Sequence, residues 1–130
     1  MADGRLRRVF EDLKTNVPGT RAILWIGPDG AVLEHFKESR GVDIDVLATE
    51  YATLSLIVQR TSEDAGGGAL REHVIIAESA LTVIHSFEGH FLVLTCSTDI
   101  PVGRVRWELK RAARQISAQL HAPEAELRKA

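Results

Sequence analysis

Residues 46–62, VLATEYATLSLIVQRTS, are the stretch that decides the fold. Leu47, Tyr51, Leu54 and Val58 recur at helical spacing and predict an apolar stripe along a long helix. About half a turn away lie small or apolar residues, which are Ala48, Ala52, Ser55 and Leu56, with Gln59 beside them. A helix with few charges on any side is normally buried on two sides. We therefore expect a sheet to cover one side and a second copy of the chain to cover the other.

Strand and helix patterns flank this central helix. A first helix carries apolar residues from Leu6 to Val17 and ends at Pro18-Gly19. Apolar runs at 22–26 and 31–36 surround Asp29-Gly30 and predict a β-hairpin. After the glycines 66–68, interpreted as a flexible link, the runs 73–77, 81–87 and 91–96 predict three antiparallel strands. A last helix over 102–120 completes an α+β order of helix, two strands, helix, three strands, helix.

Two of the helices are preceded by residues that can cap them. Asp43 or Asp45 can accept hydrogen bonds from the first turn of the central helix. Thr98 or Asp99 can do the same for the last helix, with Pro101 in its first turn.

The composition is that of one globular domain. The 130 residues are 45% hydrophobic and 26% charged, which excludes wholesale disorder. A net charge of -2 lacks the surplus of a dedicated nucleic-acid binder, and a single cysteine, Cys96, excludes an internal disulfide. No apolar run approaches the ~18 to 20 residues that span a bilayer, so neither a signal peptide nor a membrane helix is expected. We expect one cytoplasmic domain over residues 1–120 and a flexible charged tail over 121–130.

No constellation of catalytic or ligand-binding residues is recognisable. The glycines 66–68 lack the Gly-Lys-Ser/Thr ending of a phosphate-binding loop. The five histidines are scattered without metal-ligand spacing, and Cys96 within an apolar strand is typical of a small core residue. We therefore expect no catalytic residue, no cofactor and no metal, and the surface remains as the place to look for function.

Two surfaces are candidates for binding. Residues 100–115 hold five basic side chains against one acid, and the face opposite the apolar stripe consists of Arg104, Trp107, Lys110, Arg111 and Arg114. This face is either solvated, with Trp107 under arginine stems, or a binding surface, since Trp and Arg are enriched at hot spots. The strand 73–77 is either an interior strand or a sheet edge that pairs with the same strand of a second copy.

Three stretches resemble the Roadblock / dynein light chain family, especially its bacterial single-domain members that act as gliding-motility GTPase regulators. Residues 22–33, AILWIGPDGAVL, are similar to the family's first hairpin, and residues 47–58 are similar to its long central helix. Residues 91–112, from FLVL through VGRVRWELKRA, are similar to its last strand, glycine-containing turn and basic-apolar helix. The resemblance covers residues 4–120.

The resemblance implies a profilin-like sandwich. Its five-stranded antiparallel sheet would carry the long central helix on one face and the first and last helices on the other. It also implies a homodimer, with central helices packed antiparallel and third strands joining two sheets into one of ten strands. Family members are adaptors and regulators of small Ras-like GTPases. In bacteria such a dimer can activate GTP hydrolysis by reshaping the GTPase switch regions, without an arginine finger.

Two segments of this chain become interface candidates by the same resemblance. The residues implied in dimer or GTPase contact are Ala48, Ala52, Ser55, Leu56, Gln59, Val74, Ile75, Ile76 and Ala77. The basic face around Trp107 is the candidate second partner surface. The alternative from another class is a PAS- or profilin-type small-ligand sensor, which needs a pocket of a few hundred Å³ between helix and sheet. A hydrolase or metal enzyme has no motif in its favour.

Overall fold

The computed structural model describes residues 4–38 and 40–121. Within these ranges three helices and five strands follow one another in the predicted order. They are α1 Gly4–Asn16, β1 Thr20–Ile26, β2 Val32–Lys37, α2 Ile44–Asp64, β3 Glu72–Ile76, β4 Leu81–Phe87, β5 His90–Cys96 and α3 Val102–Leu120. The predicted α+β architecture is confirmed, and the bounds of α3 agree with those predicted from its apolar repeat.

The strands form one antiparallel sheet in the order β2-β1-β5-β4-β3. Among the strands of residues 4–38 and 40–121, β3 pairs only with β4, so it lies at an edge of the sheet and the interior-strand alternative is excluded. Ser86 N donates to Arg71 O at one end of this pairing, and Ala77 N donates to Ala80 O at the other. Because backbone groups alternate along a strand, the N–H and C=O groups of Val74 and its second neighbours Glu72 and Ile76 point away from β4. This free edge can pair with another strand.

The sheet separates two apolar clusters. Helices α1 and α3 cover one face, where Phe10 and Leu109 pack with Ile23 of β1. Helix α2 covers the other face, where Ile44 packs with Leu24. This is the layer order that the resemblance implies, and α2 is the only helix of the described part of the chain on its face.

The residues of α2 that face the sheet differ from the predicted apolar stripe. The buried residues of the helix are Ile44, Ala48 and Ser55, whereas Leu47 and Tyr51 are only partly buried. Small side chains at Ala48 and Ser55 let the helix backbone approach the sheet closely, which larger side chains would prevent. The stripe of large residues therefore lies on the flank of the helix.

The two predicted caps have different outcomes. The Asp43 carboxylate accepts a hydrogen bond from Val46 N at 3.1 Å, as predicted for one of the two candidates. Helix α3 has no side-chain cap, because the residue before its first turn is Pro101. The Asp99 carboxylate instead accepts from the Ser97 hydroxyl, so the prediction of a Thr98 or Asp99 cap is wrong.

The glycines 66–68 form a hydrogen-bonded turn rather than the predicted flexible link. Gly67 N donates to Ser62 O at 2.7 Å, and the Ser62 hydroxyl donates to Gly68 O at 2.9 Å. Gly66 and Gly68 have φ angles of 80° and 76°, in the left-handed region that glycine adopts without strain. The turn fixes how α2 leads into the edge strand.

The β4–β5 turn, Glu88-Gly89, is attached to the end of α3. The Glu88 carboxylate accepts a hydrogen bond from the Ser117 hydroxyl and contacts the His121 ring, and these hydrogen bonds lower the pKa of Glu88. His121 caps α3 through its backbone N–H. The remaining residues of the predicted tail, 122–130, lie outside the described residues.

Candidate interaction surfaces

The side of α2 that faces away from the sheet is unusually apolar. On this outer α2 face, Val46, Leu56 and Ile57 have 52%, 64% and 59% of their surface exposed. Thr49 and Thr53 lie among them and donate their hydroxyls to backbone carbonyls one turn earlier, at 3.0 and 2.9 Å. The helix itself satisfies these hydroxyls, and the exposed Glu50 and Arg60 lie beside the apolar side chains.

The β3 edge offers a second apolar strip beside its free backbone groups. Val74 and Ile76 expose 37% and 73% of their surface on the α3 side of the sheet. Ile75 points to the opposite side and packs against the cluster under α2, while Ala77 follows the strand and is exposed. The four predicted residues thus lie together, and three of them are accessible.

The predicted residues of α2 do not all share one surface. Ala48 and Ser55 are 2% and 0% exposed against the sheet of their own chain, so their assignment as interface residues is corrected. Leu56 is exposed, Ala52 is half-buried, and the Gln59 side chain accepts a hydrogen bond from Leu70 N at 2.8 Å. Since small side chains let the helix backbone approach the sheet, the side of α2 that carries Ala48 and Ser55 is the sheet contact.

Val46 and Ile57 are the residues of the outer α2 face that sequence reasoning missed. In the sequence they stand next to Leu47 and Val58, two residues of the predicted apolar stripe. Helical spacing places Val46 and Ile57 on the side of the helix opposite Ile44 and Ser55, which contact the sheet. The sequence carries no clear signal for this rotation, because apolar and small residues surround the whole helix.

A cleft of about 720 Å³ runs along the flank of α2 that carries Ala52 and Leu56. Its other walls are the β1–β2 and β4–β5 turns together with Phe91. The hydroxyl oxygens of Ser55 and Ser86 lie buried at its base without a hydrogen-bond partner. The cleft is of the size that the small-ligand alternative requires.

The predicted basic face of α3 is exposed and partly organised by contacts within the chain. Trp107 exposes 56% of its surface, and the Arg111 guanidinium lies 5.6 Å from its ring centroid. Arg104 donates from Nε to Asn16 O at 2.9 Å. Lys110 and Arg114 are exposed on the same helix. The face therefore combines an exposed indole with several cations.

Burial favours the neutral form of three strand histidines. It lowers the pKa of His73, His85 and His90. Beside His85 the Glu72 carboxylate opposes this effect from 3.8 Å. The neutral ring of His90 accepts a hydrogen bond from Trp25 Nε1 at 3.1 Å through Nδ1.

We expect acid to destabilise the fold through these histidines. Because their pKa values are lower in the folded state, the unfolded chain binds more protons as the pH falls below about 6.5, and the free energy of unfolding falls. The melting temperature, followed by circular dichroism, should be steady between about pH 8 and 7 and fall between about pH 6.5 and 5. His73→Gln should reduce this slope. A melting temperature that rises on acidification over the same interval would contradict the prediction.

The described residues contain no group of His, Cys, Asp or Glu side chains arranged to hold a metal ion. Burial raises the pKa of the Cys96 thiol, which keeps this side chain protonated and unreactive. Within residues 4–38 and 40–121, no helix combines the length and apolar character needed to cross a membrane.

The architecture is similar to that of solved bacterial proteins. MglB of Myxococcus xanthus is 13% identical with a TM-score of 0.82, over 92% of this chain and 92% of that one. The gliding protein MglB of Thermus thermophilus is 25% identical with a TM-score of 0.76, over 88% and 90%. A Roadblock/LC7 domain of Streptomyces avermitilis is 17% identical with a TM-score of 0.79, over 88% and 97%. No family model and no curated protein matches the sequence.

The resemblance drawn from the three sequence stretches is therefore confirmed. The chain has the Roadblock/LC7 fold, which it shares with the bacterial MglB gliding proteins.

Proposed function

We propose that this Roadblock-type protein is a non-catalytic, cytoplasmic homodimer that binds and regulates a small Ras-like GTPase. The observation that carries the proposal is the position of its exposed apolar side chains. Of the eight large hydrophobic residues exposed in the described part of the chain, five lie on α2 and β3. Exposed apolar residues that cluster in this way are typical of surfaces that contact another protein.

The dimer uses the free edge of β3. The outward N–H and C=O groups of Val74 in one copy pair with those of the antiparallel β3 of the other, as a two-fold axis requires. Leu54 lies on the flank of α2 opposite Ala52, away from the cleft, and is half-buried. A second α2 packed along this flank would complete its burial. Pairing also removes the aggregation risk of an open edge.

The GTPase binds across the outer α2 faces of the two copies. Val46, Leu56 and Ile57 supply the apolar contact, and Arg60, which is exposed one turn from Leu56, supplies a charge at its border. Regulation then follows from the conformation that binding selects in the GTPase switch regions. The protein itself contributes binding energy and no reacting group.

The test uses candidate Ras-like GTPases encoded beside this gene, loaded with GTP. We expect binding by isothermal titration calorimetry, and a changed rate of GTP hydrolysis distinguishes an activator from a scaffold. Ile57→Glu should weaken binding about tenfold or more, since it introduces an unpaired charge into the apolar contact, with little change in melting temperature.

Leu120→Glu is the matched control, because Leu120 is an apolar residue exposed by 44% on α3, away from the outer α2 face. It should bind as the unmodified protein does. The proposal fails if no GTP-loaded candidate binds or changes its hydrolysis rate. A small molecule that co-purifies in the cleft beside α2 would instead support the sensor alternative.

A further inference from the structure

A groove separates the first half of α3 from the segment that leads into β3. This α3 groove has a volume of about 1090 Å³, and its lining includes Arg71, Arg106, Trp107 and Lys110, with Gly103 at its margin. It meets the cleft beside α2 only at the segment before β3 and at Ser86, and its basic side chains line no part of that cleft. An open groove of this volume suits an extended polypeptide better than a compact ligand.

The α3 groove is locally cationic in a protein of net charge -2. Its lining holds three basic side chains and one carboxylate, Glu72, which forms an ion pair with Arg106. The acid of the surrounding helix segment, Glu108, is 9% exposed and accepts a hydrogen bond from Asn16 Nδ2 at 3.2 Å. Neither carboxylate neutralises Arg71 or Lys110, so the charge surplus of the groove faces solvent.

Trp107 provides an apolar side chain among the basic residues of the α3 groove. More than half of its surface is exposed, although burial of an indole is strongly favourable. Trp and Arg are enriched among the few residues that carry most of the binding energy of protein interfaces. One exposed indole among basic side chains suits a peptide. A membrane surface requires a wider apolar face, and a long nucleic acid requires a larger overall positive charge.

We infer that the α3 groove binds an acidic segment of a partner polypeptide, with Trp107 as its apolar anchor. Carboxylates of the segment pair with Arg71 and Lys110, and an apolar side chain of the segment covers the indole. This site is separate from the outer α2 face and does not depend on GTPase binding.

The probe is a fluorescein-labelled peptide of alternating Glu and Leu, followed by fluorescence anisotropy. We expect saturable binding with a Kd in the micromolar range that weakens as salt is added. The same peptide with Gln in place of Glu is the control for charge and should bind at least about tenfold more weakly.

Gly103→Glu is the decisive variant. A Cβ added at Gly103 meets no atom of another segment within 4 Å, and a Glu in the first turn of α3 improves both helix propensity and the interaction with the helix dipole. We therefore expect a higher melting temperature together with peptide binding that is about tenfold weaker. Gly103→Ala should raise the melting temperature and leave binding unchanged.

Three results would overturn the inference. They are equal peptide binding by Gly103→Glu, equal binding of the Gln peptide, and tighter binding of duplex DNA or phosphatidylserine vesicles than of the acidic peptide. GTPase binding should be unaffected by Gly103→Glu, so a failure here and a failure of the proposed function are distinguishable.

Discussion

Val74→Pro is expected to convert the proposed dimer into a folded monomer. The Val74 N–H points away from β4, so proline at this position removes no hydrogen bond within the chain. Proline does remove one N–H donor from each copy at the proposed contact between the two β3 strands, and its ring obstructs the approaching strand. Two lost hydrogen bonds and the obstruction together amount to about 3 kcal/mol, or about a hundredfold in the dimer Kd. Sedimentation velocity at several concentrations measures this change.

Val74→Thr is the matched control, because it keeps both the backbone N–H and a β-branched side chain. It should remain dimeric. If Val74→Pro loses its folded circular dichroism signal, Ile76→Lys provides a second test, since Ile76 is 73% exposed and the change leaves the backbone intact. Folded variants that both remain dimeric would show that the copies associate through another surface.

Leu109→Ala is expected to cause the largest loss of fold stability. Leu109 is fully buried between α3 and the sheet, and truncation leaves a cavity that the surrounding strands cannot fill. The free energy of unfolding should fall by about 3 kcal/mol, which lowers the melting temperature by about 10 °C. Urea unfolding and calorimetry give the two values.

Trp107→Ala on the same helix separates core packing from surface binding. Because Trp107 is more than half exposed, its removal should cost less than about 1 kcal/mol of stability. It should nevertheless weaken binding of the acidic peptide. A loss of stability close to that of Leu109→Ala would show that the indole serves packing instead.

The order of helices and strands was predictable, because in most segments the apolar residues recur with one clear spacing. In α3, Val105, Leu109 and Ile116 are among the buried residues, and their helical spacing predicted the helix. The Asp29-Gly30 hairpin was equally clear, since Gly30 adopts a φ of 85° that its turn requires. The edge position of β3 was not predictable, because strand order depends on pairing between distant segments.

The orientation of α2 was beyond the reach of a periodicity argument. Apolar and small residues surround this helix, so no single direction dominates its pattern. Large residues such as Leu54 suggested the core, but along most of the helix the residues buried against the sheet are the small Ala48 and Ser55. The α3 groove was also out of reach, since Arg71 and Lys110 are brought together by the fold and are far apart in the chain.

The two tryptophans occupy opposite environments, and this makes the protein its own optical reporter. Trp25 is 5% exposed and donates a hydrogen bond to His90, whereas Trp107 is exposed to solvent beside Arg111. An aqueous quencher such as acrylamide reaches the second indole and leaves the first emitting at shorter wavelength. The red part of the emission spectrum therefore follows events on the surface of α3, and the blue part follows the integrity of the core.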